Sequence, residues 1–178
     1  VSVLARMPEV LTMAQAPEDE EHMWKQLSPV VEEATKNFVE ARAVEGEKLK
    51  NDLLGKLDYM ESLVDFIEER SPEVVKEYRA RLESKVQELL ENTAIDESRI
   101  AAEVVVYADK ICVDEETVRL RSHINATRQE LKRGGSVGRK LDFIAQEMNR
   151  ESNTILSKST SLEISQRAIA LKTEIEKV

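Results

Sequence analysis

The sequence predicts an all-α protein, and three observations carry that expectation. Among 178 residues there are only 5 glycines and 4 prolines, too few for the many tight turns of a sandwich or barrel. Charged residues make up 34% of the chain and aromatics only 4%, the balance found in long helices. Apolar residues recur at alternating steps of three and four over most of the length, the period of an amphipathic helix. The expected architecture is a long antiparallel helical hairpin followed by shorter helices, in an oligomeric helical assembly.

Residues 1–17 read as a linker from a further N-terminal domain. The chain begins without Met in the extended-looking run Val1–Leu4 and ends at Val178 inside an apolar repeat. A fragment of a longer protein is therefore expected. Residues 18–93 are the expected hairpin. From Leu27 the apolar positions are Val31, Ala34, Phe38 and Ala41, then Leu49, Leu53, Met60, Val64 and Ile67. Ser28 and Pro29 suit an N-cap and first turn, or the helix runs through them with a kink. Glu45 falls on the seam before Gly46, as a stutter or a satisfied ion pair. Ser71-Pro72-Glu73 has the chemistry of cap, first helical position and first-turn acid. One helix should stop there and the next begin, with Val75, Tyr78, Leu82, Val86 and Leu89 inward and an end near Asn92.

Residues 94–178 form the C-terminal helical region. Val104–Tyr107 has strand composition, but Ile100, Val104, Ala108 and Ile111 keep helical spacing and Asp96 offers a cap, which favours helix. Asp114 should cap a helix with Thr117, Leu120, Ile124 and Leu131 inward, broken at Gly134-Gly135-Ser136. Another helix buries Val137, Leu141, Ile144, Met148 and Ile155. The last carries Ile164, Ala168, Leu171, Ile175 and Val178, a heptad seam that needs a second helix or subunit to cover it.

Several classes are excluded. No run approaches the ~20 apolar residues of a membrane span, and no signal peptide opens the chain. The single cysteine, Cys112, rules out an internal disulfide and Cys-rich zinc sites. A cytoplasmic setting without membrane attachment is the expectation. The net charge is −9 but unevenly spread: residues 18–47 carry nine acids and three bases, residues 119–140 seven bases and one acid. The basic segment can meet phosphate or pair with the acidic first helix.

Two polar stripes could carry chemistry. Glu115, Arg119 and His123 lie at i, i+4 and i+8, with Glu116 and Ser122 beside them. His123 can transfer a proton or bind a metal, or it is simply an exposed histidine on a salt-bridged helix. The second stripe holds Lys140, Glu147, Glu151, Thr154 and Lys158, flanked by Asp142, Gln146, Arg150 and Asn153. Glu147 and Glu151, at i and i+4, suit a hard divalent cation, with nearby Arg and Lys neutralising a phosphodiester. A loop or frayed helix is the other reading of the polar run Asn149–Thr154.

The stretch Gly138–Lys158, GRKLDFIAQEMNRESNTILSK, closely resembles the C-terminal signature of the YicC/YloC family. So do Asp96-Glu-Ser-Arg99, Glu103, Ala108-Asp109-Lys110, and Glu115-Glu116 through Arg119-Leu120 to Ser122-His123. Arg42-x-x-Glu45-Gly46 and Arg6-Met-Pro-Glu-Val-Leu11 are similar too. The resemblance implies a bacterial cytoplasmic endoribonuclease, dependent on a divalent metal and assembling as a homo-oligomer, a hexamer. It also implies an additional mixed α/β N-terminal domain and a short continuation past Val178. Cys112 stands where the family commonly has an acid.

With that likeness, the site expectation is concrete. Glu147 and Glu151, with Asp142 or Glu116, would hold Mg²⁺ or Mn²⁺, and His123 would move the proton. Arg119, Arg139, Lys140, Arg150 and Lys158 would hold RNA phosphates. Glu45, Arg99, Glu103, Asp109, Gln146 and Asn153 are the remaining motif candidates. Seven aromatics in all argue for contacts chiefly to the RNA backbone rather than extensive base stacking. The rival expectation is a non-catalytic helical scaffold or RNA-binding adaptor.

Overall fold

The structure, a computed structural model, describes residues 3–7, 19–90 and 97–178. Contacts divide the chain into two units, Val1–Glu47 and Lys48–Val178. The described residues are helical: a 3-10 turn at Leu4–Arg6, then α1 (Glu20–Leu90), α2 (Glu97–Ile111), α3 (Asp114–Arg133), α4 (Gly138–Lys158) and α5 (Leu162–Ile175). The all-α class holds, and Val104–Tyr107 lies within α2 as helix. The end near Asn92, the Asp96 cap and the Pro8–Leu11 motif fall outside the described residues.

The first unit holds the 3-10 turn and the start of α1. Asp19 caps that helix: its Oδ1 accepts the His22 backbone N–H at 3.1 Å. Ser28 and Pro29 therefore sit inside α1, and the helix runs through them. The seam residues Leu27, Val31 and Phe38 are exposed, as are Trp24 and Val44.

In the second unit the expected stop at Ser71–Pro72 is absent. α1 continues to Leu90, so the two arms expected of a hairpin are one helix of 71 residues. Pro72 removes one backbone N–H and crowds the Glu68 carbonyl, a penalty of about 3 kcal/mol. Two features offset it. The Ser71 hydroxyl donates back to the Ile67 carbonyl at 2.7 Å, a contact compatible with a bend that eases the ring past the Glu68 carbonyl. Ile67 and Val74, on either side of Pro72, are both buried in one core, and each such side chain contributes roughly 1.5–3 kcal/mol.

That core gathers Leu57, Met60, Val64 and Ile67 of α1 against Leu120 and Ile124 of α3, Ile144, Met148 and Ile155 of α4, and Ala168 and Leu171 of α5. The α5 seam is thus covered within the chain, with α4 as its main neighbour. Two local differences concern caps. Asp114 opens α3 as a first-turn residue, and Val113 occupies the cap position without a side-chain bond. Three first-turn acids, Asp114, Glu115 and Glu116, meet the positive helix end instead. The break after α3 is as expected: Gly134 and Gly135 take φ 71° and 85°, and the Gly134 N–H bonds the Glu130 carbonyl. This short turn sets α4 antiparallel to α3. No helix among the described residues is long and apolar enough to cross a membrane.

Candidate functional site in the groove between α3 and α4

Three polar pairs fix the register of the two helices. Lys140 Nζ donates to Glu130 at 2.6 Å near the turn. Arg119 lies 3.5 Å from Glu151 in the middle, and Lys158 Nζ donates to Glu116 at 2.7 Å at the far end. That register places His123 at the level of Glu147 on the facing helix.

The middle and far pairs are asymmetric in burial. The side chains of Glu116 and Glu151 are each 7% exposed, whereas those of Lys158 and Arg119 are 33% and 53% exposed. Arg119 is also held by Glu115 one turn away. Lys158 donates a second bond to the Cys112 carbonyl at 2.9 Å. The Glu116 carboxylate beside it raises the Lys158 pKa. Likewise the Lys140 ammonium lowers that of Glu130. The second Glu116 oxygen, Oε2, is buried with no hydrogen-bond partner, and so is Asn149 Oδ1.

Of the expected site residues, Glu116, Arg119, Glu151 and Lys158 therefore come together across the groove. His123 is half-buried, and its ring makes no hydrogen bond among the described residues. Glu147 is half-buried and 3.5 Å from Arg150. Asp142 is exposed and accepts the Gln146 amide at 3.0 Å. Asn153 Oδ1 accepts from Lys172 of α5 at 2.5 Å. Arg139 is exposed and makes no ion pair among the described residues. Glu103 accepts from the Tyr78 hydroxyl at 3.4 Å. Arg99 and Asp109 are exposed on α2, and Glu45 is exposed on α1 in the first unit.

The four carboxylates expected to hold a cation do not converge. Among the described residues no group of three or more His, Cys, Asp or Glu side chains could hold a metal ion. Glu116 is committed to Lys158, Glu151 to Arg119, and Asp142 points to Gln146. The orphan Glu116 oxygen is one unsatisfied acceptor, and the rest of a Mg²⁺ shell would fall to water and phosphate oxygens.

The basic segment is largely occupied by partners. Arg121 reaches Glu61, Asp65 and Glu68 of α1 at 3.6, 2.5 and 2.7 Å. Arg128 reaches Asp58 and Glu61 at 2.5 and 2.7 Å. Arg121 lowers the Glu68 pKa through its hydrogen bond. These two arginines tie α3 to α1 and were not singled out from the sequence. The signal for them was present: acids at 58, 61, 65 and 68 repeat at helical spacing, as do Arg121 and Arg128 seven apart. On the outer side of α4, Gln146, Asn149, Arg150, Asn153, Thr154 and Ser157 line an open cavity of about 600 Å³.

A family model described as "Endoribonuclease YicC-like, C-terminal" matches residues 67–178, from within α1 through α5. The chain belongs to the YicC-like endoribonuclease family. A second model, "Endoribonuclease YicC-like, N-terminal region", matches residues 1–51. The YicC-like chain is 40% identical over 176 residues to a protein of Clostridioides difficile (strain 630) named "Probable endoribonuclease YicC", covering 98% of this chain and 60% of that one. It is 39% identical over 142 residues to a Haemophilus influenzae protein of the same name, covering 80% of this chain and 49% of that one. The YicC-like chain thus spans about half to three-fifths of the length of these relatives. The C-terminal match contains the whole α3–α4 groove.

Proposed function

We propose that the full-length protein containing this chain is an endoribonuclease cutting single-stranded RNA, with the α3–α4 groove as its reactive site. One observation carries the reading: buried Glu151 holds the half-exposed Arg119 one turn from His123, whose ring has no partner among the described residues.

Cleavage of a phosphodiester requires a hydroxyl to lose a proton as it attacks phosphorus, charge to be met on the phosphoryl oxygens, and the leaving oxygen to gain a proton. His123 takes the proton from the attacking hydroxyl and returns it to the leaving oxygen. Glu147, level with it on α4, stabilises the imidazolium in between. Arg119 is oriented by Glu115 and Glu151 and presents its remaining N–H groups to a phosphoryl oxygen. Lys158 and Glu116 brace the far end of the groove.

No step is routed through a metal ion. Cleavage that stops in EDTA and returns with Mg²⁺ or Mn²⁺ would bring in a cation, with Glu147 and Glu151 and the substrate phosphate as its candidate ligands. Assembly as a homo-oligomer, a hexamer by family likeness, belongs to the same proposal. The exposed apolar residues Trp24, Leu27, Val31 and Phe38 support it.

A non-catalytic RNA-binding adaptor is the second reading. The observation favouring a non-catalytic role, as a helical scaffold before an adaptor, is that Arg119, Arg121, Arg128, Lys140 and Lys158 all pair with acids inside the chain. The deciding experiment incubates full-length protein with end-labelled single-stranded RNA, with Mg²⁺ or Mn²⁺ and with EDTA, beside the His123→Ala variant. Cutting that the variant loses supports the nuclease. Tight RNA binding without any cutting moves the assignment to the adaptor.

A further inference from the structure

The solvent face of α4, opposite its buried residues, carries one stripe at helical spacing: Arg139, Phe143, Gln146, Arg150, Asn153 and Ser157, all exposed. It runs about 27 Å along the helix. Phe143 is 63% exposed and is the one large exposed hydrophobic residue on α4. Nothing in the core accounts for it: the inward positions of α4 are Leu141, Ile144, Met148 and Ile155.

We infer that this stripe is a single-stranded RNA track in which Phe143 stacks on a nucleobase, Arg139 and Arg150 meet the flanking phosphates, and the amides beyond read base edges. The inference rests on the nuclease reading above and adds to it a substrate subsite outside the α3–α4 groove.

Four features favour RNA over another protein surface. A helix seam that binds a second helix needs several apolar residues three and four apart, and this face has one. Among the described residues neither Arg139 nor the exposed Lys132 of α3 has an acid partner. Cations left unpaired in a chain of net charge −9 suit an anionic ligand. The cavity beside Arg150 is lined by amides and hydroxyls, which exchange hydrogen bonds with base edges as readily as with water. Finally, an aromatic ring one helical turn from an arginine provides the π-face and the phosphate contact that unpaired nucleotides use. Glu147 lies one turn from Phe143, so a strand on the track passes beside the groove that holds His123.

The test is fluorescence anisotropy of an end-labelled single-stranded RNA with the full-length protein, comparing wild type, Phe143→Leu and Phe143→Trp. Phe143 is exposed, and the leucine variant keeps an apolar side chain of similar reach. Loss of a base stack should weaken binding by roughly 5- to 100-fold in Phe143→Leu, while Phe143→Trp binds as wild type. An oligonucleotide of abasic residues should bind wild type and Phe143→Leu equally. Unchanged RNA affinity in Phe143→Leu, with wild type binding tightly, overturns the track and leaves the nuclease reading standing. A wild type that binds no RNA overturns both. A changed oligomeric state of Phe143→Leu by sedimentation, with RNA affinity intact, assigns the face to a second copy and overturns the inference.

Discussion

Lys158 donates to the buried Glu116 carboxylate at 2.7 Å and to the Cys112 carbonyl at 2.9 Å, so one ammonium joins the last turn of α4 to the first turn of α3 and to the connection leaving α2. Three chain segments converge on a group that remains one-third exposed, while the carboxylate it serves is almost wholly shielded.

Removing that ammonium leaves Glu116 buried with neither oxygen bonded. Lys158→Ala should destabilise the chain by about 1–3 kcal/mol, read as a lower urea midpoint with an unchanged slope. Pairing it with Glu116→Gln should recover part of the loss, since no buried charge then lacks a partner.

The same contact fixes a pH dependence. Glu116 raises the Lys158 pKa in the folded chain. A raised pKa gives stability that is complete below the unfolded lysine value, about 10.4, and is lost as pH rises through the folded one. Urea midpoints should therefore fall in the alkaline range above that value. Lys158→Arg, which keeps its proton there, should flatten this decline; an equally steep decline would show that Lys158 is not its source.

Arg121 gives the opposite dependence. Its hydrogen bond lowers the Glu68 pKa, so the contribution is present above the unfolded glutamate value, about 4.3, and is lost as pH falls through the folded one. Arg121→Gln should cost about 1–2 kcal/mol at low salt and less at high salt, because the pairs are partly exposed. Its acid unfolding should begin at higher pH than wild type.

Pro72 separates what the sequence displays from what packing decides. The all-α class, the Gly134–Gly135 break and the inward positions of α3, α4 and α5 follow from periodicity, because each of those helices has one buried stripe. Ser71-Pro72-Glu73 carries every local signal of a helix start, and yet the helix continues. Those signals are local, whereas the competing term is burial of Ile67 and Val74 against other helices, and no window around Pro72 contains it. The site divides in the same way. Spacing placed Arg119 and His123 on one face of α3, and Glu147 and Glu151 on one face of α4. It could not show that Glu116 pairs with Lys158 rather than with other carboxylates, because that depends on the register of two helices. For Arg121 and Arg128, phosphate contact and pairing with the first helix stay equal alternatives until α1 is placed beside them.

A continuous α1 makes its own prediction. Pro72→Ala restores a backbone donor opposite the Glu68 carbonyl and removes the ring that crowds it. Pro72 is exposed, so little packing is lost. The variant should gain about 1 kcal/mol or more and show a higher Tm by circular dichroism. A chain with a turn at Ser71–Pro72 would gain nothing, because a proline at a first helical position has no donor to restore.

His123 is where structure and chemistry can be separated most cleanly. Its ring makes no hydrogen bond among the described residues, and its backbone carbonyl already accepts from the buried Thr127 at 2.9 Å, a bond any side chain at 123 preserves. His123→Ala should therefore leave Tm nearly unchanged while lowering RNA cleavage by about 100-fold or more, the usual effect of losing a proton-transfer group. Chemical rescue supplies the second readout. Free imidazole added to His123→Ala should restore part of the cleavage, because it supplies the missing proton-transfer group. Loss of cleavage accompanied by an equal fall in stability would mark His123 as a packing residue. A large loss at constant Tm, partly reversed by imidazole, requires the ring itself to move the proton.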